Sequence, residues 1–230
     1  MPNILLINPN TSTASTAMML KVAAACSAAL PGGWAISGCT AAKGPTMIVN
    51  VAELAAAALQ VPLAWQAATR LGDGPWAGVI ISAFGDPGMD TLRAATRVPV
   101  VGICEASLLE AAQGGRRFGI ATVTPELAGL IEQRVSGLGL GAAYTGLRLT
   151  PGEPRTLAAN PAALQRALAE AVNQCIALDG AQAVVIGGGP LAQAAAQLQA
   201  RWGVPIIEPI PAAVRQLVTL LNADVLLKCG

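Results

Sequence analysis

The chain has 230 residues, of which 53% are hydrophobic and 12% charged, and its net charge is +1. Its apolar runs are short, and none approaches the roughly 20 residues that a membrane-spanning helix needs. It has no basic cluster and only 3% aromatic residues, which argues against a nucleic-acid-binding surface. The amino terminus runs directly into a strand-like segment with no secretory signal. We therefore expect a cytoplasmic protein that contacts neither membrane nor nucleic acid.

The chain has five cysteines and no histidine. The cysteines lack CxxC spacing, which argues against a zinc site or a disulfide framework, and we expect no metal and no organic cofactor. Without histidine, Ser-His-Asp and Cys-His nucleophile systems are excluded. Cys104 lies between a predicted strand and a predicted helix start, a position where the pKa of a thiol can fall.

In chain order, apolar β-branched runs alternate with alanine-rich helical stretches. The predicted strands are Asn3–Ile7, Trp34–Cys39, Gly78–Ser82, Val98–Ile103, Phe118–Val123, Gly146–Leu149, Ala183–Ile186 and Pro205–Ile207. The predicted helices are Ala14–Leu30, Val51–Arg70, Met89–Thr96, Ala106–Gln113, Pro125–Leu138, Pro161–Leu178, Leu191–Arg201 and Pro211–Leu221. Thr11 and Ser12 are candidate caps for the first helix. This alternation predicts an α/β protein whose parallel sheets are covered on both faces.

An internal repeat predicts two similar lobes. AGVIISAFGDPG, a helix and VPVVGI occupy residues 77–103, while QAVVIGGGPLAQ, a helix and VPIIEPI occupy residues 182–210. Each unit has a buried strand, a Gly/Pro loop, a helix and a second strand that begins with Val-Pro. We expect two pseudo-symmetric lobes, each a small parallel sheet flanked by helices. Residues 1–98 plus 208–230 would form lobe 1, and residues 99–207 would form lobe 2.

The repeat also predicts where a ligand binds. Parallel α/β sheets bind ligands beyond the carboxyl ends of their strands, so two facing lobes would form a cleft between them. Ala83 and Gly188 would lie at equivalent positions on its opposite walls. The predicted cleft residues are Asn10, Ser82, Ala83, Phe84, Thr122, Thr124, Gly188 and Gly189.

Five motifs, in order along the chain, resemble the hydantoin and allantoin racemases of the aspartate/glutamate/hydantoin racemase superfamily. They are INPNTS (residues 7–12), AAKGP (41–45), FGDPG (84–88), VPVVGICEAS (98–107) and VPIIEPIPAAV (204–214). The resemblance covers essentially the whole chain. It implies proton transfer, without a cofactor, at the carbon next to a carbonyl of a small carboxylate, hydantoin or ureide. Such folds often oligomerise, so we expect a homo-oligomer.

In these racemases two thiols act on opposite faces of a planar intermediate. The resemblance places the first thiol at Ala83, just before Phe84, and the second at Gly188. Neither a methyl group nor a hydrogen atom can carry a proton, so two-thiol racemisation is not possible with this sequence. Three functions stay open: an enzyme with altered chemistry, a racemase whose cysteines were replaced, and a non-catalytic protein that binds a small ligand.

The altered chemistry could be that of a cysteine-independent decarboxylase, lyase or hydrolase, which would need another base. The candidate carboxylates are Asp86, Glu105 and Glu208. Asp86 could serve as a general base if burial raises its pKa, or it could form a turn or cap the next helix. Ser82 could donate to a carbonyl or act as a nucleophile, although it would then need a base other than histidine.

The remaining candidates also have a functional and a structural interpretation. Asn10 could bind a substrate carboxylate or imide, or it could order the turn before the first helix. Thr122 and Thr124 could bind the ligand or simply end a strand. Gly187–Gly189 could offer backbone N–H groups to a carboxylate or oxyanion, or they could allow close packing of strand and helix.

Overall fold

In the computed structural model of the chain, residues 3–70, 75–188, 191 and 198–228 are described. The strands are β1 (Asn3–Asn8), β2 (Ala35–Thr40), β3 (Trp76–Ile81), β4 (Val100–Gly102), β5 (Phe118–Thr122), β6 (Tyr144–Leu149), β7 (Ala183–Gly187) and β8 (Ile206–Ile207). The helices are α1 (Thr13–Ala28), α2 (Val51–Arg70), α3 (Met89–Ala95), α4 (Ile103–Ala111), α5 (Ala128–Gly137), α6 (Pro154–Ala158), α7 (Pro161–Ala177) and α8 (Pro209–Lys228). The predicted α/β class is confirmed.

The strands form two four-stranded sheets, ordered β2-β1-β3-β4 and β6-β5-β7-β8. Every strand pairing in the described part of the chain is parallel. The second order reproduces the first when β5 to β8 are matched with β1 to β4, so the prediction of two similar parallel sheets is confirmed. Strand pairing places Val100–Gly102 in the first sheet, while the lobe boundaries after residues 98 and 207 remain a prediction.

Burial separates the central strands of each sheet from the edge strands β2 and β6. The central strands β1, β3, β5 and β7 are buried almost along their whole length, as expected when helices cover both faces. The edge strands β2 and β6 are only partly buried and contain more small and polar residues. Each sheet therefore presents the carboxyl ends of two central strands side by side, which is the position of the predicted cleft.

One hydrophobic core joins the two lobes. It contains residues of both sheets, such as Ile4 and Ile120, together with Leu217 of α8. Leu217 packs so closely on Gly78 that a Cβ atom there would lie 2.8 Å from Leu217 Cδ1. The last helix of the chain therefore returns to the first sheet and supports it from the side opposite α2.

Two local differences from the sequence-based prediction have clear causes. Helix α4 begins at Ile103 rather than at Ala106, because the carboxylate of Asp86 accepts N–H bonds from Cys104 and Glu105. Helix α6 was not predicted, and Glu153 caps it through two backbone N–H groups. The predicted helix Leu191–Arg201 falls largely outside the described residues. Within the described ranges, no helix is both long and apolar enough to span a membrane.

Candidate active site

A cavity of about 130 Å³ lies between the lobes, beyond the carboxyl ends of the central strands. Its walls are formed by Asn10, Met47, Ile48, Ser82, Ala83, Phe84, Val123, Thr124, Leu127, Pro154, Ala158, Leu164, Gly187, Gly188 and Leu191. A water molecule occupies about 30 Å³ in the liquid, so the space corresponds to only a few waters. It suits a small ring with a short substituent.

Most of the predicted cleft residues meet at this cavity. The structure brings together Asn10, Ser82, Ala83, Phe84, Thr124 and Gly188. Thr122 and Asp86 do not line the cavity, and Gly189 lies outside the described residues. The sequence reasoning missed the apolar walls from the 41–50 loop and from α6 and α7. The AAKGP motif pointed to that loop, but Leu127 and Leu164 had the pattern of ordinary core residues.

The strand-end hydroxyl groups link the central strands. Ser82 Oγ donates to the Ile7 carbonyl at 2.8 Å, which joins β3 to β1. Thr122 Oγ1 donates to the Gly187 carbonyl at 2.7 Å and so joins β5 to β7. The Ser82 proton is thus held by a backbone oxygen rather than by a base, and this arrangement gives no activation of Ser82 as a nucleophile.

Ala83 and Gly188 lie on walls contributed by different lobes. A Cβ atom at Gly188 would lie 2.9 Å from Leu191 Cδ1 and 3.0 Å from Leu191 Cγ. Leu191 is buried, and its N–H donates to the Gly188 carbonyl at 3.2 Å. The leucine side chain therefore fills the space into which a side chain at position 188 would begin to project.

Asp86 is buried beside the cavity rather than in its wall. Its two carboxylate oxygens each accept a backbone N–H at 2.8 Å, from Cys104 and Glu105, and Arg134 Nη2 lies 3.8 Å away. Its backbone is left-handed, with φ of 50°. The structure therefore shows Asp86 as the cap of α4, with both oxygens occupied.

The other proposed acid–base groups also lie away from the cavity walls. Glu105 is held by Arg93 and Arg134, each at 2.8 Å. Glu208 is half-buried at the start of α8 and is not a lining residue, and burial raises its pKa. Burial raises the pKa of the Cys104 thiol well above its usual range, so its position at the start of a helix does not lower that pKa.

The described walls of the cavity carry no acid or base. Among the described residues, every lining side chain is apolar, a hydroxyl or an amide. Residues 189–197, GPLAQAAAQ, contain no ionisable side chain. Within the described ranges, no group of three or more His, Cys, Asp or Glu residues could hold a metal ion. The site can bind a ligand through hydrogen bonds and apolar contact, but its side chains cannot exchange protons as acids or bases near neutral pH.

An ion pair joins two of the segments that line the cavity. Glu53 of α2 pairs with Arg155 of α6 and also accepts the N–H of Val49 at 2.8 Å. The loop before α2 supplies the lining residues Met47 and Ile48, and α6 supplies Pro154 and Ala158. The pair therefore ties together the rim segments contributed by the two lobes.

Glu53→Gln and Arg155→Gln are expected to speed ligand release with little effect on stability. The pair is partly exposed, and such pairs typically contribute less than about 1 kcal/mol to the free energy of unfolding. Stopped-flow dissociation of a small ligand bound in the cavity should be several-fold faster in both variants. Arg148→Gln is the control, because the Arg148–Asp179 pair lies within the second lobe. Equal acceleration in the control would contradict a role at the rim.

Asp86 should make stability depend on pH. Burial raises the pKa of Asp86 to about 7, against the lowering effects of the two N–H donors and Arg134. The unfolded pKa is near 4, so the linked stability is complete below about pH 4 and is lost as pH rises through 7. Thermal midpoints should fall by roughly 10 °C across this window and then level off. Asn at position 86 cannot ionise, so the thermal midpoint of Asp86→Asn should not show this fall with pH. An equal fall of the midpoint in both proteins would contradict the prediction.

Comparison with known proteins gives a consistent set of relatives. The Asp/Glu/Hydantoin racemase family model matches residues 4–217. The chain is 31% identical to a hydantoin racemase of Rhizobium meliloti, covering 96% of this chain and 89% of that protein. It is 29% identical to a hydantoin racemase of Paenarthrobacter aurescens, covering 95% and 90%. The solved allantoin racemase from Klebsiella pneumoniae superimposes with a TM-score of 0.88 at 29% identity, covering 97% and 89%.

Proposed function

Because the chain belongs to the Asp/Glu/hydantoin racemase family, we propose that its cleft binds a small, neutral hydantoin or ureide without racemising it. The observation that carries the proposal is the absence of any acid or base from the described cavity walls, with Ala83 and Gly188 where the resemblance places the thiols. A cavity is nevertheless present between the lobes. Recognition of a small ligand is therefore supported, whereas two-sided proton transfer is not.

The ligand class is supported by the relatives and by the charge of the site. Two of the relatives are hydantoin racemases and a third is an allantoin racemase, and these substrates are cyclic ureides. No arginine or lysine is among the lining residues. Burying an unpaired carboxylate is strongly unfavourable, so a neutral ring fits this site better than aspartate, glutamate or an arylmalonate.

The apolar walls support a ligand with a short hydrocarbon substituent. Met47, Phe84, Leu127, Leu164 and Leu191 surround the polar groups of the cavity. Apolar contact of this kind contributes roughly 25 cal/mol for each Å² removed from water. A decarboxylase, lyase or hydrolase that acts without cysteine has less support, because its candidate bases Asp86, Glu105 and Glu208 do not line the cavity.

The proposal is tested by measuring binding and proton exchange on the same samples. Calorimetry should show binding of a hydantoin with a short apolar substituent at carbon 5, and weaker or no binding of aspartate, glutamate and arylmalonates. Proton NMR in deuterated water should show the hydrogen next to the carbonyl exchanging no faster than in buffer. Exchange that is faster with the protein than in buffer would overturn the proposal of a non-racemising function. Failure of every ureide to bind would overturn the proposed ligand class.

Two further expectations belong to the same proposal. We infer a cytoplasmic location and a homo-oligomeric assembly. The first is supported by the short apolar runs of the sequence, and the second by the tendency of such folds to oligomerise. Light scattering on the purified chain would measure the assembly directly, and a monomer over the working concentration range would exclude it.

A further inference from the structure

Asn8, the last residue of β1, anchors the first-lobe wall from beneath. Its side chain is fully buried, and its Nδ2 donates to Asn10 Oδ1 at 2.9 Å, to the Ser12 carbonyl at 3.1 Å and to Thr16 Oγ1 at 2.9 Å. Its Oδ1 accepts the N–H of Asn10 at 3.2 Å. Thr16 is in turn held by the Thr40 hydroxyl at 2.6 Å. Asn8 is itself fully buried and does not line the cavity, so it acts on a ligand only through Asn10.

This network determines which end of the Asn10 amide faces the cavity. Asn10 Oδ1 accepts from the backbone N–H of Ser12 at 2.9 Å as well as from Asn8. A backbone N–H can only donate, so the Asn10 atom beside it must be the oxygen. Asn10 Nδ2 therefore points to the other side, and it has no acceptor among the described residues. Since Asn10 lines the cavity, that wall presents an N–H donor.

The hydroxyl groups of the cavity have the opposite polarity. The Ser82 proton is given to the Ile7 carbonyl, so Ser82 Oγ offers lone pairs to a ligand. The Thr122 proton is given to the Gly187 carbonyl, so the 3.2 Å contact between Thr122 and Thr124 uses the Thr124 proton. Thr124 Oγ1 thus also offers lone pairs. The cavity side chains present one donor, Asn10, and two acceptors, Ser82 and Thr124.

We propose that Asn8 is a positioning residue that locks the Asn10 amide as a donor, so that the site reads a ligand carbonyl at Asn10 and ligand N–H groups at the hydroxyls. The complementary ligand edge is the N–H, C=O, N–H sequence of a ureido group. This inference rests on the proposed function and deepens it. The polarity arises from bonds beneath the wall, so it exists before any ligand arrives.

The test compares ligands that differ in one polar atom. Calorimetry is run with a 5-substituted hydantoin, its 2-thio and 4-thio analogues, and an analogue methylated on one ring nitrogen. A thiocarbonyl is a poor hydrogen-bond acceptor, and the methyl group removes an N–H donor. The wild type should lose about tenfold or more in affinity for the 2-thio analogue, whose thiocarbonyl lies between the two N–H groups, and for the N-methylated one, the range expected when a buried polar group is left unpaired. The 4-thio analogue is the comparison, because its thiocarbonyl lies outside this edge. Equal affinity for all of these ligands would overturn the polarity assignment.

Asn10→Asp should lose at least about tenfold in affinity for the hydantoin, because it replaces the donor by an acceptor. Asn8→Ala should reduce the discrimination between carbonyl and thiocarbonyl ligands, a result that general loosening of the fold would not produce. Thr16→Val weakens the same anchor and replaces Asn8→Ala if that variant fails to fold. Asn160→Asp is the control, since it makes the same charge change at the exposed cap of α7. Unchanged discrimination in the anchor variant would overturn the positioning role.

A measurement without ligand separates this inference from the proposed function. Side-chain ¹⁵N NMR of the free protein should show slow solvent exchange for the Asn8 amide protons and fast exchange for those of Asn10. Slow exchange at Asn10 would overturn the orientation, whether or not a hydantoin binds. If Asn8 exchanges slowly and Asn10 fast but no ureide binds, the inferred orientation of Asn10 stands. The proposal that the ligand is a ureide recognised through its N–H, C=O, N–H edge would then be overturned.

Discussion

Cysteine at both position 83 and position 188 is expected to raise exchange of the hydrogen next to the carbonyl of a bound hydantoin by roughly 10²- to 10⁴-fold. This is the range that a positioned acid–base group contributes. The two positions line the cavity after strands of different sheets, and removal and return of a proton on different faces requires thiols on opposite sides of the ligand. Ala83→Cys alone should give exchange with retention of configuration, because only one face has a thiol. Optical rotation and NMR in deuterated water, followed together, distinguish the two results.

The second thiol should work fully only when space is made for it. A Cβ atom at position 188 meets the side chain of Leu191, which is itself buried. We expect the triple variant Ala83→Cys/Gly188→Cys/Leu191→Ala to racemise faster than the double variant. Ala158→Cys is the control, because it adds a thiol to a lining position away from the strand ends. Equal exchange in this control, or a silent triple variant, would contradict the assignment of the two positions.

Gly102→Ala is expected to lower the free energy of unfolding by about 3 kcal/mol or more. The added Cβ would overlap the carboxylate carbon and both oxygens of Asp86, and that carboxylate cannot move without releasing the N–H groups of α4. Overpacking and the loss of buried hydrogen bonds each contribute one to a few kcal/mol, so the estimate of about 3 kcal/mol is conservative. Urea denaturation would measure the change.

Gly129→Ala provides the matched comparison for Gly102→Ala. Gly129 lies in α5, and a Cβ atom there would meet nothing within 4 Å. Alanine favours the helix over glycine by about 1 kcal/mol in peptides, so this variant should be as stable as the wild type or slightly more stable. A similar loss in the free energy of unfolding in both variants would show that the contact with Asp86 is not the cause of the destabilisation.

The architecture could be predicted because its signals are local or repeated. Strands appear as buried apolar runs, helices as alanine-rich stretches, and the repeat of AGVIIS and QAVVIG relates the two sheets. The start of α4 could not be placed correctly, since its cap is Asp86, a residue far upstream in the sequence. Sequence spacing does not reveal which distant N–H group a carboxylate will meet.

The polar residues of the candidate site could also be predicted, together with Ala83 and Phe84, but most of its apolar residues could not. Asn10, Ser82 and Thr124 follow strands, and the carboxyl ends of parallel strands form ligand sites. Met47 and Leu164 line the cavity with side chains that are equally suited to a core, so residue type alone does not separate the two. Thr122 was placed in the cleft by the same strand-end rule, whereas its hydroxyl bonds across the sheet.

The bonds from Ser82 and Thr122 across their sheets have a consequence for how such a protein can change over generations. Each bond joins two strands beneath the cleft. Ser82 immediately precedes Ala83, and the Gly187 carbonyl that accepts from Thr122 immediately precedes Gly188. Substitutions at Ala83 and Gly188 therefore leave those bonds in place. The side chains at these two positions can therefore change without loss of the bonds that hold the cleft, and the same separation makes the chain a starting point for installing a different reaction.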